Sequence, residues 1–139
     1  MLAAFENDLL VRDPDFSQGG TATIFITVSG QNVTVDAFKI TEALAVVSPD
    51  NEAEVSGTPT FQFAADSGED HYELRVFDAL GKMVWENTNV ASAAGTISVT
   101  YGGPALTPGM VYQFRAVSIA NDGAPLSATE DLRGTFIYR

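Results

Sequence analysis

Residues 71–85 read HYELRVFDALGKMVW, and the period of that stretch decides the fold. Tyr72, Leu74 and Val76 alternate with Glu73, Arg75 and Phe77. A period of two sends one set to a buried face and the other toward solvent, the pattern of a half-buried β-strand. Asp78-Ala79-Leu80-Gly81 supplies the residue types a turn demands, and Met83 and Trp85 are expected to share a face on the return strand. The stretch also holds His71 and Trp85, the only histidine and the only tryptophan of the chain. The alternation favours packing over chemistry. Trp85 is expected in the core or at the sheet edge, and His71 at the loop end of its strand.

The same reading extends outward. Short alternating runs rich in Val, Ile, Thr, Phe and Tyr predict strands at 44–48, 59–65, 71–78, 82–86, 95–101, 110–119 and 133–139. Gly, Pro, Asn, Asp and Ser collect between them, with turn signals at the spacing of a sandwich. Residues 41–47 could make one helical turn, but their β-branched end and Ser48-Pro49 argue against more. The expectation is an all-β domain over residues 44–139: a seven-stranded sandwich. Ahead of it, TATIFITV (21–28) and VTVDAFKI (33–40) read as a hairpin joined by Ser29-Gly30-Gln31-Asn32. A lone hairpin is marginal in water. Residues 1–43 are therefore expected to dock on a sheet edge of this chain, on a preceding domain, or on a second copy by strand exchange or as a homodimer.

With 139 residues the chain suits one domain that buries roughly two thirds of its unfolded surface. The absence of cysteine excludes disulfides, thiolate nucleophiles and Cys-based zinc sites. Seven Lys and Arg against eighteen Asp and Glu give a net charge of −11, which repels nucleic acid and anionic membrane at long range. No apolar run approaches the length of about 18 residues that spans a bilayer. The opening MLAAFENDLLVRDPD lacks the basic start and apolar centre of a signal peptide. Such a start also suits a point of excision from a longer precursor.

The segment LTPGMVYQFRAVSIA, Leu106 to Ala120, resembles the entry to strand F in fibronectin type III domains. There a Leu-x-Pro-Gly turn precedes a Tyr and an alternating strand; the match here is Leu106, Pro108, Gly109 and Tyr112. The resemblance implies a tyrosine corner, with the ring packed inward and the hydroxyl bonded to nearby backbone. The family usually carries a core Trp on strand B, where this chain has Phe61 and Phe63, so the wider immunoglobulin-like set is the safer frame. YELRVFDALGKMVWE is similar to a strand–turn–strand unit of bacterial secreted sandwich modules. The first 40 residues resemble the end of a transthyretin-like, carboxypeptidase-regulatory-like domain that precedes such modules in bacterial surface lipoproteins. These likenesses imply an extracellular or cell-envelope location.

In such a topology the loops at 65–70, 87–95 and 120–128 share one pole, and the chain entering at residue 44 arrives there too. The resemblance marks that pole as a surface for a protein or glycan partner, with Asp66, Glu69, Asp70, His71, Asn121 and Asp122 as candidates. The N-terminal hairpin is placed to cover it. A catalytic or metal reading of His71 needs ligands or a nucleophile converging on one imidazole, and no Gly-x-Ser-x-Gly elbow is present. Asp13 and Asp15, like the acidic loops DSGED and PDNEAE, suit calcium by residue type, but the EF-hand pattern is absent. Asn32-Val33-Thr34 forms a glycosylation sequon, and Gly19-Gly20 and Gly102-Gly103 read as turns rather than phosphate cradles.

The function expected is therefore a non-catalytic structural or binding module of a bacterial secreted or surface-anchored protein, without a cofactor. The alternatives are an accessory domain of an extracellular carboxypeptidase or glycosidase, and a small hydrolase or metal-dependent enzyme using His71.

Overall fold

The computed structural model describes residues 29, 30, 32, 43–130 and 132–139. The hairpin strands 21–28 and 33–40 and the Asp13–Asp15 segment lie outside the described residues, as does their relation to the pole. Nine strands are described: β1 (Val46–Ser48), β2 (Ala53–Val55), β3 (Thr60–Ala64), β4 (His71–Asp78), β5 (Met83–Ala91), β6 (Thr96–Thr100), β7 (Val111–Ile119), β8 (Pro125–Ala128) and β9 (Thr135–Tyr138). No helix occurs among the described residues. The strands form two sheets, β1-β3-β6 and β2-β9-β7-β4-β5, with β8 also paired to β7.

The sheets meet face to face. Phe61 and Phe63, inward on β3, are fully buried, as are Tyr72, Leu74 and Val76 of β4, Phe114 of β7 and Phe136 of β9. Phe61 stands 4.9 Å from the Phe114 ring and 5.8 Å from that of Phe136, and Phe63 stands 5.2 Å from Tyr72. Each such side chain contributes about 1.5–3 kcal/mol on leaving water. The alternation that marked β4 is its burial pattern: Tyr72, Leu74 and Val76 inward, Glu73 and Arg75 half-buried on the outer face. Arg75 there bonds Glu73 at 2.6 Å and approaches Glu86 on β5 at 3.5 Å.

Four departures from the sequence reading have physical causes. First, β5 runs on to Ala91 through Asn87, Thr88 and Asn89, read above as loop, because eight-residue β4 offers partners as far as His71 opposite Ala91. Cross-strand pairing there overrides a weak local propensity. Second, β8 lies inside the predicted 120–128 loop, with Pro125 at its first position, where a missing N–H costs no ladder bond. Third, β2 occupies part of PDNEAEVSG and pairs in parallel with β9, Glu54 opposite Ile137. Fourth, Met83 and Trp85 do not share a face. A register shift sets Met83 opposite outward Phe77 and Trp85 opposite inward Val76. The extra residue of a bulge breaks the alternation that sequence spacing assumes.

Trp85 consequently turns to the core, 6.4 Å from Phe61 and 5.1 Å from Tyr101. Gly103 makes this fit possible: a Cβ there would lie 2.5 Å from the Tyr101 hydroxyl oxygen and 2.8 Å from Trp85 Cβ. The Tyr101 hydroxyl donates to the Pro104 carbonyl at 2.9 Å.

The C-terminal strands β8 and β9 divide β7 between them, pairing with its two halves in turn. Where they part, buried Thr129 stands in for the ladder: its hydroxyl accepts from the Ala116 N–H at 3.2 Å, and its own N–H donates to the Ala116 carbonyl at 2.9 Å. The chain re-enters at Gly134, whose N–H donates to Asp50 Oδ1 at 2.9 Å and whose φ is +70°. A Cβ at Gly134 would meet the Phe114 carbonyl oxygen at 2.6 Å, so the return requires glycine.

Candidate functional site: the loop pole

One end of the two-sheet body gathers three connections. His71 at the start of β4 stands opposite both Ala91 at the end of β5 and Ile119 at the end of β7. Residues 65–70, 92–95 and 120–124 therefore meet there. The entering chain arrives at the same end, with the Leu44 N–H donating to the Ala128 carbonyl and the Ala64 N–H to that of Ala45, both at 2.8 Å.

The candidate residues separate into three groups. Asp66 and Glu69 are joined through side chains that the sequence reading did not select. The Tyr72 hydroxyl accepts from the Asp66 N–H at 2.8 Å and donates to Glu69 Oε1 at 2.9 Å. Ser92 donates to the same Glu69 oxygen at 2.7 Å, linking the β5–β6 connection to the β3–β4 connection. Buried Ser118 donates to Asp66 Oδ2 at 2.6 Å and accepts from the Ser127 N–H at 3.0 Å, which ties in β7 and β8. Tyr72 and Ser118 are register partners on the inward face. Their polar groups at core positions were the signal available in the sequence, since a hydroxyl on a buried face needs a partner.

The second group is the pair Asp70 and His71, with Oδ2 and Nδ1 2.9 Å apart. The Asp70 N–H donates to the Ile119 carbonyl at 2.7 Å, which fixes the pair beside the end of β7. The third is Asn121 and Asp122, exposed at the tip of a tight turn closed by the Ala120 N–H on the Ala124 carbonyl at 2.8 Å. Asp122 Oδ1 accepts from the Ala124 N–H within that turn at 3.0 Å. The pole thus brings Asp66 and Glu69 together, holds Asp70 with His71, and sets Asn121 and Asp122 on a separate turn.

The electrostatics follow. Burial raises the Glu69 carboxyl, but bonds from Ser92, its own backbone N–H and Tyr72 outweigh that and hold it below the ordinary carboxylate value. Burial, against the opposing bond from the Asp66 N–H, pushes the Tyr72 hydroxyl up to about 12, and the Glu69 carboxylate adds to the rise. Tyr72 therefore keeps its proton at any physiological pH and serves as a donor to Glu69. Ser118 bonds an aspartate and His71 bonds a different one, so these are two separate pairs rather than one relay. Among the described residues, no group of three His, Asp or Glu stands close enough to share a metal ion.

The turn before β7 is built as follows. The Tyr112 hydroxyl accepts from the Thr107 N–H at 2.9 Å, and its ring stacks on Phe136 at 5.6 Å. Leu106 is buried, Pro108 is exposed, and Gly109 takes φ +83° with its N–H on the Tyr138 carbonyl at 2.7 Å.

A groove of about 650 Å³ lies toward the opposite end, on the outer face of the larger sheet, lined by Phe77, Asp78, Val111, Gln113 and Leu132 among others. Leu132 is 80% exposed in a left-handed backbone conformation. No helix among the described residues is long and apolar enough to cross a membrane. No protein-family model matches the chain, and no curated protein or solved structure matches it either.

Proposed function

We propose that this chain is a non-catalytic structural or binding module of a bacterial secreted or surface-anchored protein, with a fibronectin type III-like, immunoglobulin-like architecture. The observation that carries the reading is the use made of polar groups at the pole: Asp66, Glu69, Tyr72, Ser92 and Ser118 are engaged in joining four strand ends. Carboxylates and hydroxyls committed to one another position loops, and loops positioned by a rigid body are where binding residues concentrate. Asp70, Asn121 and Asp122, exposed around that braced centre, are in this reading the partner-facing groups, with His71 beside them. The finer architecture is supported by the Tyr112 hydroxyl on the backbone five residues upstream. The strand partition β1-β3-β6 against β9-β7-β4-β5 also fits the immunoglobulin-like division.

The full chain incubated with chromogenic ester, peptide and glycoside substrates is expected to turn over none of them above buffer. Turnover that His71→Ala or Ser118→Ala abolishes would overturn the reading.

A further inference from the structure

The charge of this acidic chain is unevenly placed. Residues 87–114 contain no Asp, Glu, Lys, Arg or His. No residue of β1, β3 or β6 is charged, so the whole smaller sheet is neutral, whereas β2, β4, β5 and β7 all carry charged side chains. The neutral run places two edge strands along one flank. β5 ends the larger sheet and β6 ends the smaller one. They are tied at one end by residues 92–95 and at the other by the Trp85–Tyr101 contact.

These two edges are not alike. β5 has two register shifts against β4, and its Asn89 N–H is occupied by the Asn87 side chain at 3.1 Å. Bulges and local side-chain bonds are devices that stop an edge from pairing further. β6 has neither. Its register with β3 is unbroken from Thr96 to Thr100. The Tyr101 N–H donates to the Pro59 carbonyl, and the Gly95 carbonyl accepts from Ala65 on the other side of the same ladder. By antiparallel alternation the odd-numbered residues of β6 bond β3, and the N–H and C=O groups of Thr96, Ser98 and Thr100 point away from the sheet. The remaining edges are short: β1 has three residues and a register shift, β2 has three residues with Glu54 at its centre, and β8 has four residues, a register shift and Pro125.

We infer that the edge of β6, which pairs with no further strand among the described residues, pairs with β6 of a second copy, antiparallel about a two-fold axis through Ser98. The sequence is self-complementary in that register. Ser98 faces Ser98, Thr96 faces Thr100, and hydroxyl-bearing pairs of this kind are favourable across a ladder. Every outward N–H of Thr96, Ser98 and Thr100 then meets a carbonyl. Charge selects the occupant and the place together. Two molecules of net charge −11 repel over most orientations, and the neutral flank lets them approach without setting carboxylate against carboxylate. The joined sheets form one continuous sheet across the dimer. A contact built on five residues is small, so the dimer is a weak one that gathers strength with concentration and salt.

The test uses the full chain. Sedimentation equilibrium across protein concentrations is expected to show reversible dimerisation. Ser98→Lys, which sets two ammonium groups opposite each other at the axis, is expected to weaken it by roughly tenfold. Thr88→Lys on β5 is expected to leave it unchanged. Amide exchange by NMR reads the geometry directly: Thr96, Ser98 and Thr100 gain protection as concentration rises, while Ile97 and Val99 are protected throughout. A chain monomeric at all concentrations, or a dimer indifferent to Ser98→Lys, overturns the inference. So does protection of the even-numbered amides that is independent of concentration, which would assign the edge to another segment of the same chain.

Discussion

β5 and β6 leave the molecule on the same flank, four residues of connection apart, yet one edge is guarded and the other open. β5 shifts register twice against β4 and covers one of its own N–H groups with Asn87, whereas β6 keeps an unbroken register with β3 and sets Thr and Ser outward. The difference lies in how each strand is held. β5 belongs to a sheet whose outer face carries Glu73, Arg75 and Glu86, where charge already discourages a neighbour. β6 carries no charged residue and no bulge. In so acidic a protein an edge without protection is either a liability or a use, and the neutral strip from 87 to 114 favours use.

The largest way to break this comparison is to dissolve the flank. Phe61 packs against Trp85 on the β5 side and Tyr101 just beyond β6, at 6.4 and 6.2 Å, so one ring holds both edges in place. Phe61→Ala is expected to lower unfolding free energy by about 3–5 kcal/mol, read by denaturant titration. Its cost should exceed that of any exposed substitution on either edge.

A smaller effect tests the pole where the β5–β6 connection is anchored through Ser92. Tyr72→Phe removes the hydroxyl that bridges Asp66 and Glu69 and is expected to cost about 1–3 kcal/mol. The same group sets an alkaline limit. Its folded value, about 12, lies above the ordinary 10.0, so the stability it lends is complete below pH 10 and is lost as pH rises from 10.0 to about 12. Tyr72→Phe should remove that part of the alkaline fall in a melting-temperature profile.

The smallest effect sharpens the contrast between the edges. Asn87→Ala uncovers the Asn89 N–H and is expected to change stability by less than about 1 kcal/mol. Amide exchange at Asn89 should nonetheless speed up, while exchange at Thr96, Ser98 and Thr100 at low concentration stays as it was.

Legibility in the sequence followed the same division. Strands with strict alternation and a buried face, β4 and β6, could be read directly, because period alone fixes which residues enter the core, and so could β7 as far as Ala116, beyond which Val117, Ser118 and Ile119 are buried on both faces. The second half of β5 could not, since its Asn and Thr residues are strand only because β4 extends opposite them. β8 was hidden in a Pro- and Ser-containing stretch that pairs because β7 is long enough to hold two partners. At the pole, Asp66 and Glu69 were selected by charge, but of the groups that organise them Tyr72 and Ser118 were marked only by a hydroxyl at an inward strand position, and Ser92 by nothing local. Asn121 and Asp122 were grouped with the acids by topology, and the tightness of their own turn sets them apart. The neutral stretch needed no structure to be seen, only a search for where charge is missing.

The parallel pairing of β2 with β9 has a consequence in time. It joins residues 53–55 to residues 136–138, so the loop it closes runs over most of the described domain. Long loops are entropically the slowest to close. During synthesis β4, β5 and much of β7 can assemble as the chain emerges, but β2 must wait with its partner side empty until residues 135–138 have cleared the ribosome. For that interval the nascent chain displays a second vacant edge. The acidic residues around β2, Glu52 and Glu54, are then the nearest deterrent to mispairing between chains on the same messenger.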